Sequence, residues 1–241
     1  MLQDSLFICY STPNYAKLTT LCLNSLRDIH VHHINHKLDT PKQFNQTGFQ
    51  TDLWYYCVRN KISHLIDVLS NEKYKYFIFT DCDIVYMKQN VHEWKNLEKY
   101  IHDEKKDIYF MQENKSTDIN SGFFIIQNNI PKMKQFFIDV LNKMEITDKK
   151  DMPFGDQTII NELKHTIHYG VIPNEYVIFG NKIYNKDKCL FHHAVSCIDI
   201  DDKIKQIHRI QKEFYPFWYV KYMVLIGLFL IYLNLPKNKK K

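Results

Sequence analysis

Two aspartates at the end of an apolar run are the residues of this chain best suited to chemistry. The run 76–80 stops at Asp81 and Asp83, which lie two positions apart. Side chains alternate along a strand, so the two carboxylates point the same way if the chain stays extended. Paired carboxylate oxygens favour Mg²⁺ or Mn²⁺, and such an ion usually completes its shell with substrate phosphates. A strand that simply enters an Asp-rich turn fits the pattern too, because a D-x-D triplet is short.

Two further groups of polar residues follow along the chain. Asn120, Ser121 and Gly122 precede an apolar run, and Gly122 permits close approach of the backbone to a ligand. An ordinary loop entering a strand is the alternative. Asp156 and Gln157 open a helical pattern, where a carboxylate and a carboxamide can hold sugar hydroxyls. The alternative for Asp156 is a cap for that helix.

A pair of histidines with a lysine downstream completes the set. His192 and His193 lie in an apolar run, and Lys203 follows. Adjacent side chains point to opposite faces of a strand, so only one histidine should face a site. A neutral imidazole is a common metal ligand. The alternative for each histidine is a core position with satisfied hydrogen bonds.

Strand and helix patterns alternate along the chain and predict how these groups are positioned. Strands are predicted over 5–10, 29–36, 76–86, 107–112 and 122–127, and helices over 15–26, 49–69, 130–144 and 156–163. This alternation predicts an α/β fold with a mostly parallel sheet flanked by helices on both faces. Ligands bind at the carboxyl ends of the strands in such sheets, where Asp81 and Asp83 lie. The absence of glycine-rich phosphate-loop motifs argues against a dinucleotide or P-loop site.

Composition limits the remaining function classes. The chain has 241 residues and a net charge of +5, which comes mostly from lysine and lacks the arginine–aromatic stripe that binds nucleic acid. Six cysteines without a C-x-x-C pair predict reduced, packed thiols and a cytoplasmic-facing domain. The N-terminus reads as a first strand, and no signal peptide is predicted there.

Together these motifs resemble those of the nucleotide-diphospho-sugar transferases, glycosyltransferases of the GT-A (Rossmann-like) fold. The resemblance runs over about 5–212, so we expect a GT-A domain over 1–212 and a separate apolar segment over 213–241. It rests on four motifs in order, namely D-x-D at 81–83, N-S-G at 120–122, D-Q at 156–157, and H-A at 193–194 with Lys203 downstream. Val195 departs from the pattern, since relatives often carry asparagine there.

The resemblance implies an enzyme that moves a sugar from a nucleoside-diphosphate sugar to a hydroxyl of a glycan, protein or small-molecule acceptor, usually with retention. It implies Mn²⁺ (or Mg²⁺) held by Asp81, Asp83 and His193. Asp81 would also reach the ribose or sugar, and the residues expected to add positive charge near the phosphates are Lys203 and Arg59 or Lys61. Donor sugar and acceptor hydroxyl would be positioned by Asn120, Asp156 and Gln157. The nucleotide base would be lined by the exit of the first strand, namely Tyr10, Ser11, Thr12 and Asn14.

Two other classes share paired aspartates or the fold. One is a metal-dependent phosphoryl or nucleotidyl enzyme, which normally needs more carboxylates around the metal. The other is a catalytically inactive domain that binds a sugar nucleotide.

The most apolar stretch of the chain lies near its C-terminus, over 217–233. Its uncharged part, 222–233, is shorter than the roughly 20 residues that cross a bilayer, but Lys221 could extend it by reaching toward the interface. Lysines at 237 and 239–241 follow, so we expect membrane attachment as a tail anchor or an interfacial helix. The alternative is a core helix that covers the sheet.

Overall fold

The helices and strands come from a computed structural model, which describes residues 2–39, 41, 49–70, 73–113, 117–127, 130–197 and 199–214. The strands are β1 (Ser5–Ser11), β2 (His32–Lys37), β3 (Tyr76–Asp81), β4 (Ile84–Tyr86), β5 (Ile108–Gln112), β6 (Ile119–Ile126), β7 (Tyr169–Val171), β8 (Val177–Phe179), β9 (Lys182–Ile183) and β10 (Phe191–His193). The α-helices are α1 (Ala16–Asp28), α2 (Asp52–Val68), α3 (Trp94–Glu104), α4 (Ile130–Ile146), α5 (Asp156–Leu163) and α6 (Ile200–Phe214).

A six-stranded sheet in the order β2-β1-β3-β6-β5-β7 organises the fold. The pairs β1/β2, β1/β3 and β5/β7 are parallel, and only β6 runs against its two neighbours. The prediction of a mostly parallel sheet is confirmed. A second sheet of four short strands has the order β4-β10-β8-β9.

Alternate residues of the central strands pack on opposite faces of the large sheet. In β1, Phe7 and Cys9 belong to a core cluster with residues of α1, α3 and the second sheet. Leu6 and Ile8 belong to a cluster with residues of α2, α4 and α5. All seven residues of β1 are buried, which explains its nearly continuous apolar sequence. Helices therefore cover both faces, as predicted.

The strand predicted over 76–86 is broken at the two aspartates, which corrects the expectation of one extended segment. β3 ends at Asp81, a turn follows, and β4 begins at Ile84 in the second sheet. β4 pairs antiparallel with β10, so that Ile84 lies opposite His193. Asn120, expected in a loop before a strand, lies inside β6, which begins at Ile119.

The sequence predicts reduced, packed thiols, and all six cysteines are free.

The sequence also predicts membrane attachment near the C-terminus. Within the described ranges, no helix is both long enough and apolar enough to cross a bilayer. The segment 217–241, for which membrane attachment is predicted, lies outside the described residues.

Candidate active site

The turn after β3 and the end of β10 bring three metal-ligand side chains together. Asp81 is the last residue of β3, Asp83 lies in the turn, and His193 is the last residue of β10. One ligand atom from each lies within 4.8 Å of the others. His193 Nε2 is 3.3 Å from Asp83 Oδ1. The pairing of β4 with β10 creates this arrangement, because it places His193 beside the residue that follows Asp83.

The surroundings of this trio fit a bound cation. Asp83 Oδ1 and His193 Nδ1 are buried and have no hydrogen bond of good geometry to the described residues. Gly122 leaves room beside them, since a Cβ atom there would lie 2.5 Å from His193 Cε1 and 3.0 Å from Asp81 Oδ2. Two carboxylates and one imidazole form a ligand set that suits Mn²⁺ and also accepts Mg²⁺.

Burial and lysine charges together set the ionisation of the two aspartates. Burial acts to raise the pKa of Asp83, but the charge of Lys203 and the contact with His193 outweigh it and hold that pKa well below its usual range. Lys203 forms an ion pair with Asp83 Oδ2. Burial raises the pKa of Asp81 to about 6, against the opposing charge of Lys61. Asp83 is therefore the more firmly ionised of the two carboxylates.

Lys61 of α2 connects this trio to the D-Q motif. Its ammonium group is buried and lies 2.6 Å from Asp156 Oδ2 and 3.5 Å from Asp81 Oδ1. Burial acts to lower the pKa of Lys61, but the two carboxylates raise it above its usual value, so the group stays protonated. The N-cap residue of α5 is Gly155 and Asp156 is the first residue of the helix, so the alternative in which Asp156 occupies the cap position is wrong.

Two side-chain amides at the site are oriented by a carboxylate that the sequence motifs did not include. Glu113 Oε2 accepts hydrogen bonds from Asn120 Nδ2, at 2.7 Å, and from Gln157 Nε2, at 3.4 Å. The two amide oxygens accept hydrogen bonds from backbone N–H groups. Asn120 Oδ1 accepts from Gly122 N, and Gln157 Oε1 accepts from Ser121 N. The only sequence signal for Glu113 is its place directly after β5, at the carboxyl edge of the sheet.

Tyr15 is a second residue that the motifs missed. Burial raises the pKa of its hydroxyl, the charge of Lys203 acts against this increase, and the charge of Asp83 adds to it. Nothing in the spacing of the sequence singles it out.

Arg59 and Tyr10 were also predicted as site residues, and their side chains contact residues outside the trio of Asp81, Asp83 and His193. Arg59 is turned away and pairs with Glu145 at 2.6 Å, so the structure gives no support to its predicted phosphate role. Tyr10 lies next to Asp81 in strand register, but its ring stacks on His36 at a centroid distance of 5.5 Å.

Three polar residues follow Tyr10 at the exit of β1. Ser11 Oγ donates to Asn35 Oδ1 at 3.0 Å. Thr12 precedes a single 3₁₀ turn that contains Asn14. The predicted role of these residues in binding the base stays a prediction.

A family model of the nucleotide-diphospho-sugar transferases matches residues 20–207 of this chain. The chain belongs to this family. The matched range contains every motif from the D-x-D to Lys203, whereas β1 lies before it. A comparison with curated protein sequences gave no match.

Several solved glycosyltransferases share the fold of this nucleotide-diphospho-sugar transferase. One, involved in the glycosylation of the major capsid of PBCV-1, has a TM-score of 0.59 and 14% identity, over 85% of this chain and 98% of that one. GlyE of Streptococcus pneumoniae TIGR4 has a TM-score of 0.54 and 13% identity, over 80% of this chain and 55% of GlyE. The bifunctional glycosyltransferase WbbM has a TM-score of 0.55 and 11% identity, over 86% of this chain and 50% of WbbM. The fold is that of GT-A glycosyltransferases.

Proposed function

We propose that this nucleotide-diphospho-sugar transferase is a metal-dependent glycosyltransferase that transfers a sugar from a nucleoside diphosphate to an acceptor hydroxyl with retention. The observation that carries the proposal is the meeting of Asp81, Asp83 and His193 at the carboxyl edge of the sheet. Ligands of open α/β sheets bind at this edge. Retention is inferred from the resemblance of the motifs, and no residue is assigned as a nucleophile.

The reaction breaks the bond between the anomeric carbon and the diphosphate oxygen and joins that carbon to the acceptor oxygen, with release of the hydroxyl proton. Mn²⁺ (or Mg²⁺) held by Asp81, Asp83 and His193 would supply Lewis-acid stabilisation of the departing diphosphate charge. Lys203 adds a second positive charge at the same place. Its pKa lies above its usual value because Asp83 outweighs the effect of burial, so Lys203 stays protonated near neutral pH.

The remaining polar residues are proposed to hold the two substrates. Asp156, anchored by Lys61, accepts hydrogen bonds from sugar hydroxyls. Gln157 follows Asp156 in α5, and Glu113 orients the amides of both Gln157 and Asn120. Preorganised groups of this kind lower a barrier because they need not reorient during the reaction.

The test is a screen of UDP- and GDP-sugars for hydrolysis with and without Mn²⁺, followed by anomer analysis of the released sugar. We expect one donor to yield nucleoside diphosphate and free sugar only when the metal is present. Asp83→Asn should abolish this turnover and Mn²⁺-dependent binding of the nucleoside diphosphate. Asp202→Asn is the matched control, because Asp202 lies on α6 next to Lys203 and makes an exposed contact with Lys205. Nucleotide binding at the parent level in Asp83→Asn would contradict the metal site.

The products also separate the two alternatives. A phosphoryl or nucleotidyl enzyme would release nucleoside monophosphate or phosphate in place of the diphosphate. An inactive binding domain would bind the nucleotide with Mn²⁺ and release no sugar. A phosphoryl or nucleotidyl enzyme would have no need of Asn120, Asp156 and Gln157, and the presence of every motif residue argues against an inactive domain.

We also propose that the C-terminal segment attaches a cytoplasmic-facing catalytic domain to a membrane. The support is its sequence alone, an apolar stretch followed by lysines. Deletion of 217–241 should then release active protein from membranes, as judged by carbonate extraction. Aggregation and loss of activity after the deletion would indicate a core helix in its place.

A further inference from the structure

Three aromatic side chains form a partly exposed surface beside the candidate active site, which we call the aromatic platform: Phe49, Trp54 and Phe154. Phe49 and Phe154 are 58% and 55% exposed. The Phe49 ring lies 4.8 Å from that of Trp54 and 6.3 Å from that of Phe154, measured between centroids. Large apolar groups that remain exposed together mark binding surfaces more often than single exposed residues do.

Contacts between two segments hold the platform in place. Gln50 Nε2 donates to Pro153 O at 3.0 Å, which ties the residue after Phe49 to the residue before Phe154. Tyr55 donates from its hydroxyl to Lys149 O at 2.8 Å. The side chain of Thr51 caps α2 by accepting from Trp54 N. The platform is therefore a built surface, with its rings preset before any ligand arrives.

The platform is continuous with the D-Q motif. Phe154 is separated from Asp156 by Gly155 alone, and Gly155 packs so closely on Trp54 that a Cβ atom there would lie 2.8 Å from Trp54 Cη2. Trp54, Val58 and Lys61 lie at i, i+4 and i+7 on one face of α2, a span of ~10 Å along the helix axis. Trp54 thus lies about two helical turns from Lys61, the residue whose ammonium group binds Asp156.

We propose that the aromatic platform binds the sugar ring of a glycan acceptor by stacking. This inference rests on the proposed function, which requires an acceptor hydroxyl next to the donor sugar. One face of a pyranose ring carries mainly C–H bonds and packs on aromatic rings, while its hydroxyls project from the edge. A ring stacked on Phe154 lies beside Asp156 and Gln157, where a hydroxyl must arrive. A protein partner would need roughly 800 Å² of contact, far more than three side chains provide.

Direct binding tests the platform without any need for turnover. The probes are methyl β-D-galactopyranoside, methyl β-D-glucopyranoside and methyl β-D-mannopyranoside, observed by saturation-transfer NMR on the full chain with UDP and Mn²⁺. We expect saturation of the ring C–H protons of at least one probe. The signal should fall about tenfold in Phe49→Ala/Phe154→Ala, since each stacked ring contributes modestly to binding. It should persist in Phe154→Tyr, which keeps the ring.

The matched control is Tyr184→Ala, which removes an aromatic side chain that is 47% exposed elsewhere on the surface. It should leave probe binding unchanged. Circular dichroism confirms that the double variant is folded. Equal binding of a probe by the double variant and the parent overturns the proposal, and so does the absence of binding of every pyranoside by the parent.

Turnover separates failure of this inference from failure of the proposed function. With the donor identified by the screen, the double variant should show a raised KM for the pyranoside acceptor, with transfer measured relative to its own rate of donor hydrolysis. Transfer at the parent KM in the double variant overturns the platform while leaving the glycosyltransferase function intact. Absence of metal-dependent hydrolysis in the parent contradicts the proposed function alone, because pyranoside binding is read independently.

Discussion

The ammonium group of Lys61 lies 2.6 Å from Asp156 Oδ2, although the two residues belong to different helices. It also lies 3.5 Å from Asp81 Oδ1, so one buried cation joins the end of β3 to the start of α5. A buried carboxylate that loses its counter-charge is strongly destabilised. Lys61 therefore contributes both to the fold and to the position of two carboxylates at the active site.

Replacement of this lysine by an apolar side chain of similar length tests that dual role. Lys61→Met should lower the free energy of unfolding by about 3 kcal/mol, because it leaves the buried carboxylate of Asp156 unpaired. Urea denaturation followed by circular dichroism measures the loss. Sugar-nucleotide hydrolysis by the folded fraction should also fall, since Asp156 loses its anchor.

Arg59 provides the control on the same helix. Its ion pair with Glu145 is about half exposed, and such pairs contribute less than about 1 kcal/mol. Arg59→Met should therefore change stability little and activity not at all. Similar losses of stability in the Lys61 and Arg59 variants would show that burial of the Lys61 ion pair does not increase its contribution to the free energy of unfolding.

The order of strands and helices could be predicted because local periodicity encodes it. α5 was predicted over 156–163 and spans Asp156–Leu163. The break between β3 and β4 could not be predicted in this way. It depends on the pairing of β4 with β10, a strand more than a hundred residues downstream, and such long-range pairing leaves no local pattern.

The site was predictable where a motif names the residue and not where packing selects it. Asp81, Asp83 and His193 follow from motifs, and the structure brings them together. The sequence could not show which of Arg59 and Lys61 faces the site. Residues two apart on a helix face different directions, and only the packing of α2 against the sheet shows which side chain points inward. Glu113 acts through contacts with two other side chains, so its own sequence context carries no signal.

Gly122 provides the space in which the three proposed metal ligands, Asp81, Asp83 and His193, meet. Its substitution by alanine would place Cβ 2.5 Å from His193 Cε1 and 3.0 Å from Asp81 Oδ2, so the arrangement of the ligands must change. Gly122→Ala should weaken Mn²⁺ binding about tenfold by calorimetry. Gly170→Ala is the control, because its Cβ would lie 2.7 Å from the ring of Tyr109. Both variants should lose about 1–3 kcal/mol of stability from overpacking. Equal metal affinity in the two would refute this role of Gly122.

Glu113 is predicted to act as a positioning residue for Asn120 and Gln157. Glu113→Ala removes the acceptor that orients both amides, so kcat of sugar release should fall at least about tenfold. The affinity for nucleoside diphosphate and Mn²⁺ should stay at the parent level. Glu113→Gln keeps an acceptor oxygen and should restore most of the rate. A loss of nucleotide affinity in Glu113→Ala would place the network at the nucleotide, away from the sugar.

Stability should decline in mild acid because of a histidine stack on α2 and β2. The rings of His36 and His64 lie 3.9 Å apart, and burial together with the charge of His36 lowers the pKa of His64 below its ordinary value of 6.5, against the opposing charge of Asp67. The unfolded chain then binds a proton at His64 before the folded protein does. The contribution of neutral His64 to stability is complete above about pH 6.5 and is lost as the pH falls through the lowered pKa.

His64→Phe keeps a flat ring against His36 but cannot be protonated, so its unfolding free energy should fall less steeply between about pH 7 and pH 5. His102→Phe, at a side chain that is 71% exposed, should keep the parent slope. Urea unfolding across this range compares the three proteins, and a parent-like slope in His64→Phe would assign the acid sensitivity to other groups.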